Sequence, residues 1–147
     1  MRYAPLLLNE SDRLAALAEY ELKEDDSELQ LDAIVELASK QFDVPIVLVS
    51  IVEQTRQIFS ARKGLNVCET GRDVSFCAHA LQLDNILVIP DAKLDSRFVQ
   101  NPLVLGEPFI RFYAGMPLLG PSGHALGALC IIDRRPPQRA AGLGLLR

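Results

Sequence analysis

The sequence has no tryptophan, only two histidines and three cysteines, and no excess of basic residues. Three cysteines in 147 residues are too few for a disulfide scaffold, and none of them forms a C-x-x-C pair. Two histidines without a cluster of acids or cysteines do not make a zinc site, so no metal and no cofactor is expected. A net charge of −4, a pI near 5.1 and the missing basic, aromatic-studded stripe argue against nucleic acid as a partner. No apolar run reaches the ~18 residues that span a bilayer. Leu6-Leu7-Leu8 is also shorter than the roughly 7–15 residues of a signal-peptide core. The expected setting is therefore cytoplasmic, away from the membrane, with Cys68, Cys77 and Cys130 as thiols. Gly120, Gly123 and Gly127 lack the Gly-Lys-Ser/Thr ending of a phosphate loop, and no G-x-S-x-G elbow is present.

What remains is ordinary globular material: 49% hydrophobic and 23% charged residues, enough for one domain with a real core. Residues 1–36 carry ten acids against three bases, while the rest of the chain is mildly basic. Asn9 or Ser11 can cap a helix with Leu14, Leu17, Ala18 and Leu22 on one face, broken at Glu24-Asp25-Asp26. Ser27 and Gln30 form a capping box for a second helix with Leu31, Ile34, Val35, Ala38 and Phe42 on its apolar face. The β-branched run Ile46–Val52 predicts a strand covered on both faces, followed by a hairpin into residues 57–62. Residues 64–74 read as a loop, and Ser75 can cap a helix from Phe76 to about Leu83. A short strand at 86–89 precedes a long loop, 91–108, with one helical turn at 96–99. The last elements form a hairpin. Ile110, Phe112, Ala114, Met116 and Leu118 share one strand face, Arg111 and Tyr113 the other, and Leu126, Ala128, Cys130 and Ile132 follow on the return strand. Gly127 weakens that strand unless backbone or ligand comes close there. This order of elements predicts an α+β fold, with an antiparallel sheet of five or six strands and helices packed on it.

Several separated motifs carry a family likeness. They are Asn9 to Leu17, the run Arg72-Asp73-Val74-Ser75-Phe76-Cys77-Ala78-His79-Ala80, the segment Asp95 to Val104, Arg111 to Leu118, and Gly127 to Asp133. Together they resemble GAF domains of the bacterial sensory, signal-transduction type, as found in histidine kinases and diguanylate cyclases. The resemblance implies a profilin-like fold for residues 9–135, between an extension at 1–8 and a short tail at 136–147. It also implies a small-molecule pocket, a homodimer joined through flanking helices, a link to two-component signalling, and a histidine kinase or diguanylate cyclase output module. Nothing in the chain resembles that output, which is expected in a separate protein or in the remainder of a longer one. The sequence departs from the family at Ile58, where tryptophan is usual, and in the tail, where Gly142 and Gly144 replace a continuous helix.

The ligand-binding candidates are Phe76, Cys77, His79, Asp91, Arg97, Phe98, Arg111 and Tyr113, a set of aromatic walls with a few fixed charges. Each has a structural alternative: Arg97 can pair with Asp91 or Asp95, Phe98 can plug the core, and His124 can simply open a strand. Cys77 and His79 lie two residues apart and do not face each other on a helix, which argues against joint catalysis or a covalent chromophore. Cys77 alone, near a helix start, is either a dipole-activated thiol or a small buried residue. The leading reading is a non-enzymatic sensor of an unknown small molecule. The first alternative is a redox sensor or a free methionine-R-sulfoxide reductase-like enzyme using Cys77 with Cys68, and Cys130 in the core. The second is a dimerisation module without a ligand.

Overall fold

The run Ile46–Val52 forms strand β1, six of whose seven residues are buried. A strand this apolar needs cover on both faces, and the helix Glu28–Phe42 on one side of the sheet and the helix Phe76–Ala80 with the long connection on the other provide it. The computed structural model describes residues 4–23, 28–83 and 85–137. Strands β2 (Arg56–Lys63), β3 (Glu69–Gly71), β4 (Leu87–Ile89), β5 (Phe112–Leu119) and β6 (Ala125–Asp133) join β1 in one sheet of order β3-β2-β1-β6-β5-β4. Every pairing is antiparallel. Helices α1 (Glu10–Lys23), α2 (Glu28–Phe42), α3 (Phe76–Ala80) and α4 (Pro102–Leu105) complete the α+β fold.

Alternation along the strands sorts the side chains into two cores. On one face, Val47, Val49, Phe112, Ala114 and Ile131 pack with Val35 of α2 and the flanking Leu31, Ala38 and Phe42. On the other, Ile46, Leu48, Phe59, Tyr113, Cys130 and Ile132 pack with α3 and with Phe98 and Val104 from the long connection. The site described below lies in this second layer.

Several local expectations change. Residues 64–74 contain the edge strand β3 and a 3-10 turn at Arg72–Val74. Three residues without apolar alternation leave no periodic signal, and only pairing with Arg56–Ile58 makes them a strand. Helix α3 stops at Ala80, short of Leu83. The 91–108 connection is ordered by two caps: Asp91 accepts from the Lys93 N–H at a 3-10 turn, and Asn101 accepts from the Leu103 N–H at the start of α4. Strand β5 begins at Phe112, so Ile110 escapes the alternation and joins the core of Tyr113. Met116 is exposed, because β4 pairs with β5 only as far as Gly115. On α2, Val35 is buried but Ile34 is exposed. The expected break at Glu24-Asp25-Asp26, the Ser27 cap and the glycine-bearing tail from 138 onward lie outside the described residues.

Helix α1 differs most from its expected face. Leu17 is buried and Ala18 exposed, and the residue one turn before Leu17 is the fully buried Arg13. Its guanidinium donates to the carbonyls of Val52 (2.8 Å) and Ala125 (3.3 Å), at the end of β1 and the start of β6. It also pairs with Glu10 at 3.0 and 3.1 Å. Arg72 reaches the same carboxylate at 2.6 and 3.0 Å and donates to the Glu53 carbonyl. Burial of the carboxyl opposes its ionisation, but hydrogen bonds from Arg72 and Arg13 outweigh it and bring the Glu10 pKa from 4.5 down to about 2.

A close approach of β1 and β6 also decides one residue. A Cβ on Gly127 would lie 1.8 Å from the Ser50 carbonyl oxygen, so the backbone contact anticipated for a strand glycine is real. Gly127→Ala is expected to destabilise the domain by about 1–3 kcal/mol, the range for overpacking a tight core, read as a lowered urea midpoint. For Glu10, the folded-state pKa is depressed, so its contribution is complete above pH 4.5 and disappears as pH falls toward about 2. Thermal melts of wild type and Glu10→Gln should differ most at neutral pH and converge toward pH 2.

Candidate functional site

The first cap in the site is Ser75. Its hydroxyl oxygen accepts the Ala78 N–H at 3.0 Å, as the sequence predicts, and its O–H donates to Gln57 Oε1 at 2.7 Å. Gln57 in turn donates from Nε2 to Thr70 Oγ1 at 2.7 Å. One line of hydrogen bonds thus joins α3, β2 and β3. Such a buried line fixes positions because each member left unpaired would cost about 1–3 kcal/mol.

Beside this line is a cavity of about 430 Å³. Its floor is the sheet, with Ile46, Leu48, Phe59, Cys130 and Ile132, and α3 contributes Phe76 and Cys77. The 64–70 segment and the 103–110 segment form its sides. The walls are mostly apolar, and the polar groups are few: Gln57 and Thr70 inside, with Asn66, Glu69, Glu107 and Arg134 around it. That combination of apolar walls with a few placed polar groups is what small-molecule sites use.

Of the eight candidate residues, Phe76, Cys77 and Tyr113 line this cavity. Phe98 is fully buried behind it, its ring stacked on Phe76 with centroids 4.1 Å apart. His79 meets the Phe98 ring edge-on at 4.7 Å. Arg97 is held by Asp95 at 2.8 Å and lies over Phe98, 5.3 Å from the ring centre, so it braces the connection. Asp91 caps its turn, and Arg111 donates to the carbonyls of Val104 and Ile110. These five serve the walls and do not line the cavity. Ile58 does not line it either: its neighbours Gln57 and Phe59 do, and strand alternation turns Ile58 to the opposite face. Gln57, Thr70, Glu69, Asn66, Glu107 and Arg134 were missed by sequence reasoning. In the sequence Gln57 alternates with Phe59 and Ala61, and a polar residue in that otherwise apolar series was the available signal.

The thiols are arranged differently from the expected pairing. Cys68 is exposed and Cys77 is buried, and the sulfur beside Cys77 belongs to Cys130, 3.8 Å away. The Tyr113 hydroxyl donates to Cys77 Sγ at 3.2 Å. The Tyr113 ring lies against the backbone of Gly115, where a Cβ would come 2.2 Å from its oxygen, so the small residue sets where that hydroxyl points. The hydrogen bond with Cys130 lowers the Cys77 pKa against burial, with smaller help from Ser50 and Tyr113. The same hydrogen bond and burial push Cys130 well up, and burial raises Tyr113 well above the ordinary phenol range. Neighbouring donors, more than the dipole of a five-residue helix, therefore favour the Cys77 thiolate.

Comparison with known proteins places these features. A model of the GAF domain matches residues 26–146. A cyclic di-GMP phosphodiesterase of Pseudomonas aeruginosa is 42% identical over 136 residues, covering 92% of this chain and 23% of that protein. The chain thus spans under a quarter of that relative's length. Among solved structures, the GAF domain of a phosphoenolpyruvate-protein phosphotransferase from Coxiella burnetii aligns with a TM-score of 0.65 at 17% identity, covering 95% of this chain and 86% of the other. The free methionine-R-sulfoxide reductase of Neisseria meningitidis aligns with a TM-score of 0.64 at 15% identity, covering 92% and 80%. At such identities these structures share the fold alone. Ser75→Ala removes both the α3 cap and the donor to Gln57, and thermal or urea unfolding should show a loss of about 1–2 kcal/mol.

Proposed function

The chain belongs to the GAF domain family, and from that premise we propose that residues 9–135 act as a non-enzymatic sensory unit that binds a small molecule and modulates an output module. The observation that carries this reading is the cavity. Its volume of about 430 Å³ falls within the roughly 300–1,000 Å³ of small-molecule sites, and its apolar walls fit a compact, largely apolar ligand. Glu69, Glu107 and Arg134 supply charge of both signs for a polar end of that ligand.

The route outward runs through the cavity walls. A ligand shifts an equilibrium only if it binds two conformations with different affinity. The Ser75–Gln57–Thr70 line and the Glu10–Arg72 ion pair link the cavity wall to α1, so a shift in α3 or β3 changes how α1 is held. The proposed output is an enzyme of cyclic di-GMP turnover, in keeping with the name of the Pseudomonas relative. A histidine kinase is the alternative within the same signalling role. Exposed Ile34 and Leu37 on α2 support pairing with a second copy of the chain. Among the described residues no helix is long and apolar enough to cross a membrane.

Native mass spectrometry of protein taken from its host is expected to show a bound mass that Leu103→Trp, which fills the cavity from one side, abolishes without lowering the melting temperature. A chain that carries no ligand in either form would overturn the proposal.

A further inference from the structure

Cys77 and Cys130 stand 53 residues apart in the chain, yet their sulfurs meet at 3.8 Å and both residues line the cavity. Both are almost fully buried, so an oxidant reaches them through that cavity and not from the outer surface. The ligand reading above uses the two residues only as cavity wall. Apolar side chains of the same size would fill the space equally well, and Cys77 receives a hydrogen bond from the Tyr113 hydroxyl that no apolar residue would accept. We propose that Cys77 and Cys130 form a peroxide-oxidised dithiol switch in the cavity wall.

The chemistry balances with a hydroperoxide as the oxidant. The Cys77 thiolate attacks the terminal oxygen of the hydroperoxide; an S–O bond forms, the O–O bond breaks, and the leaving alkoxide or hydroxide takes a proton to become an alcohol or water. Cys77 is now a sulfenic acid. The Cys130 sulfur attacks that sulfur, the S–O bond breaks, the S–S bond forms, and the departing hydroxide takes the Cys130 proton and leaves as water. Two thiols have lost two electrons and the peroxide has gained them. The division of labour follows from the neighbours: the Tyr113 hydroxyl donates to Cys77 and so helps hold its thiolate, whereas Cys130 keeps its proton until the second step.

Bond formation shortens the sulfur separation to about 2.05 Å. Cys130 sits in β6, hydrogen-bonded to strands on both sides, while Cys77 sits in a five-residue helix. The helix is the element that yields. Its movement strains the Ser75 cap and the Ser75–Gln57 bond, and so reaches the same wall the ligand would touch. Oxidation can be read without any ligand, so its failure is separate from failure of the binding proposal.

The test uses the full reduced chain treated with hydrogen peroxide and, separately, with cumene hydroperoxide. Intact mass should fall by two hydrogens with at least one of these oxidants, peptide mapping should join Cys77 to Cys130, and dithiothreitol should reverse the change. Cys68→Ser should behave as wild type, and Cys130→Ser should stop at the gain of one oxygen on Cys77. If neither peroxide removes two hydrogens from wild type, or if the bridge contains Cys68, the proposal is overturned. The wild-type peptide map and the surface variant Cys68→Ser decide this even where Cys130→Ser fails to fold.

Discussion

A guanidinium sealed from solvent, that of Arg13, ties together segments that are far apart in the sequence. It holds the end of β1 through Val52, the start of β6 through Ala125 and the first turn of α1 through Glu10. Glu10 then holds Arg72, which leads through one 3-10 turn to the Ser75 cap of α3. A buried charge is tolerated only when paired and hydrogen-bonded, and here both requirements are met by groups from three segments, α1, β1 and β6. Shifting any of them leaves part of the network unsatisfied, which is why the central strands, the first helix and the site helix keep one arrangement.

The cavity depends on that arrangement. Its floor is the same β1–β6 pair, brought close by the absence of a side chain at Gly127, and its wall is the helix that Ser75 starts. The aromatic stack of Phe76 and Phe98 backs this wall and gives the long connection a reason to fold inward. Arg97, Asp95, Asp91 and Asn101 then tie the connection down by local hydrogen bonds. Charged residues that looked like ligand contacts in the sequence are occupied in keeping the connection in place, and the groups nearest the cavity are mostly uncharged.

Local physics made much of this chain legible beforehand. The β-branched run of β1, the Ser75 cap, the hairpin of β5 and β6 and the meaning of a glycine inside β6 all depend on neighbours within a few residues, and those neighbours are visible in the sequence. Spaced motifs pointed to the family for the same reason. Less legible were β3, which is a strand only by pairing, and α4, a single turn made by Asn101 and Pro102.

By itself, then, the sequence determined the α+β class, the order of the longer elements and most of the apolar faces of the strands, because periodicity and caps act over short distances. Tertiary structure alone decided that Arg13 is buried, that Gln57 faces a cavity, and that Cys77 meets Cys130 and not the nearer Cys68. Each of these depends on which strands become neighbours. The sheet order places β6 beside β1, and it sets a residue near the end of the chain against one near its middle. No local pattern encodes that distance.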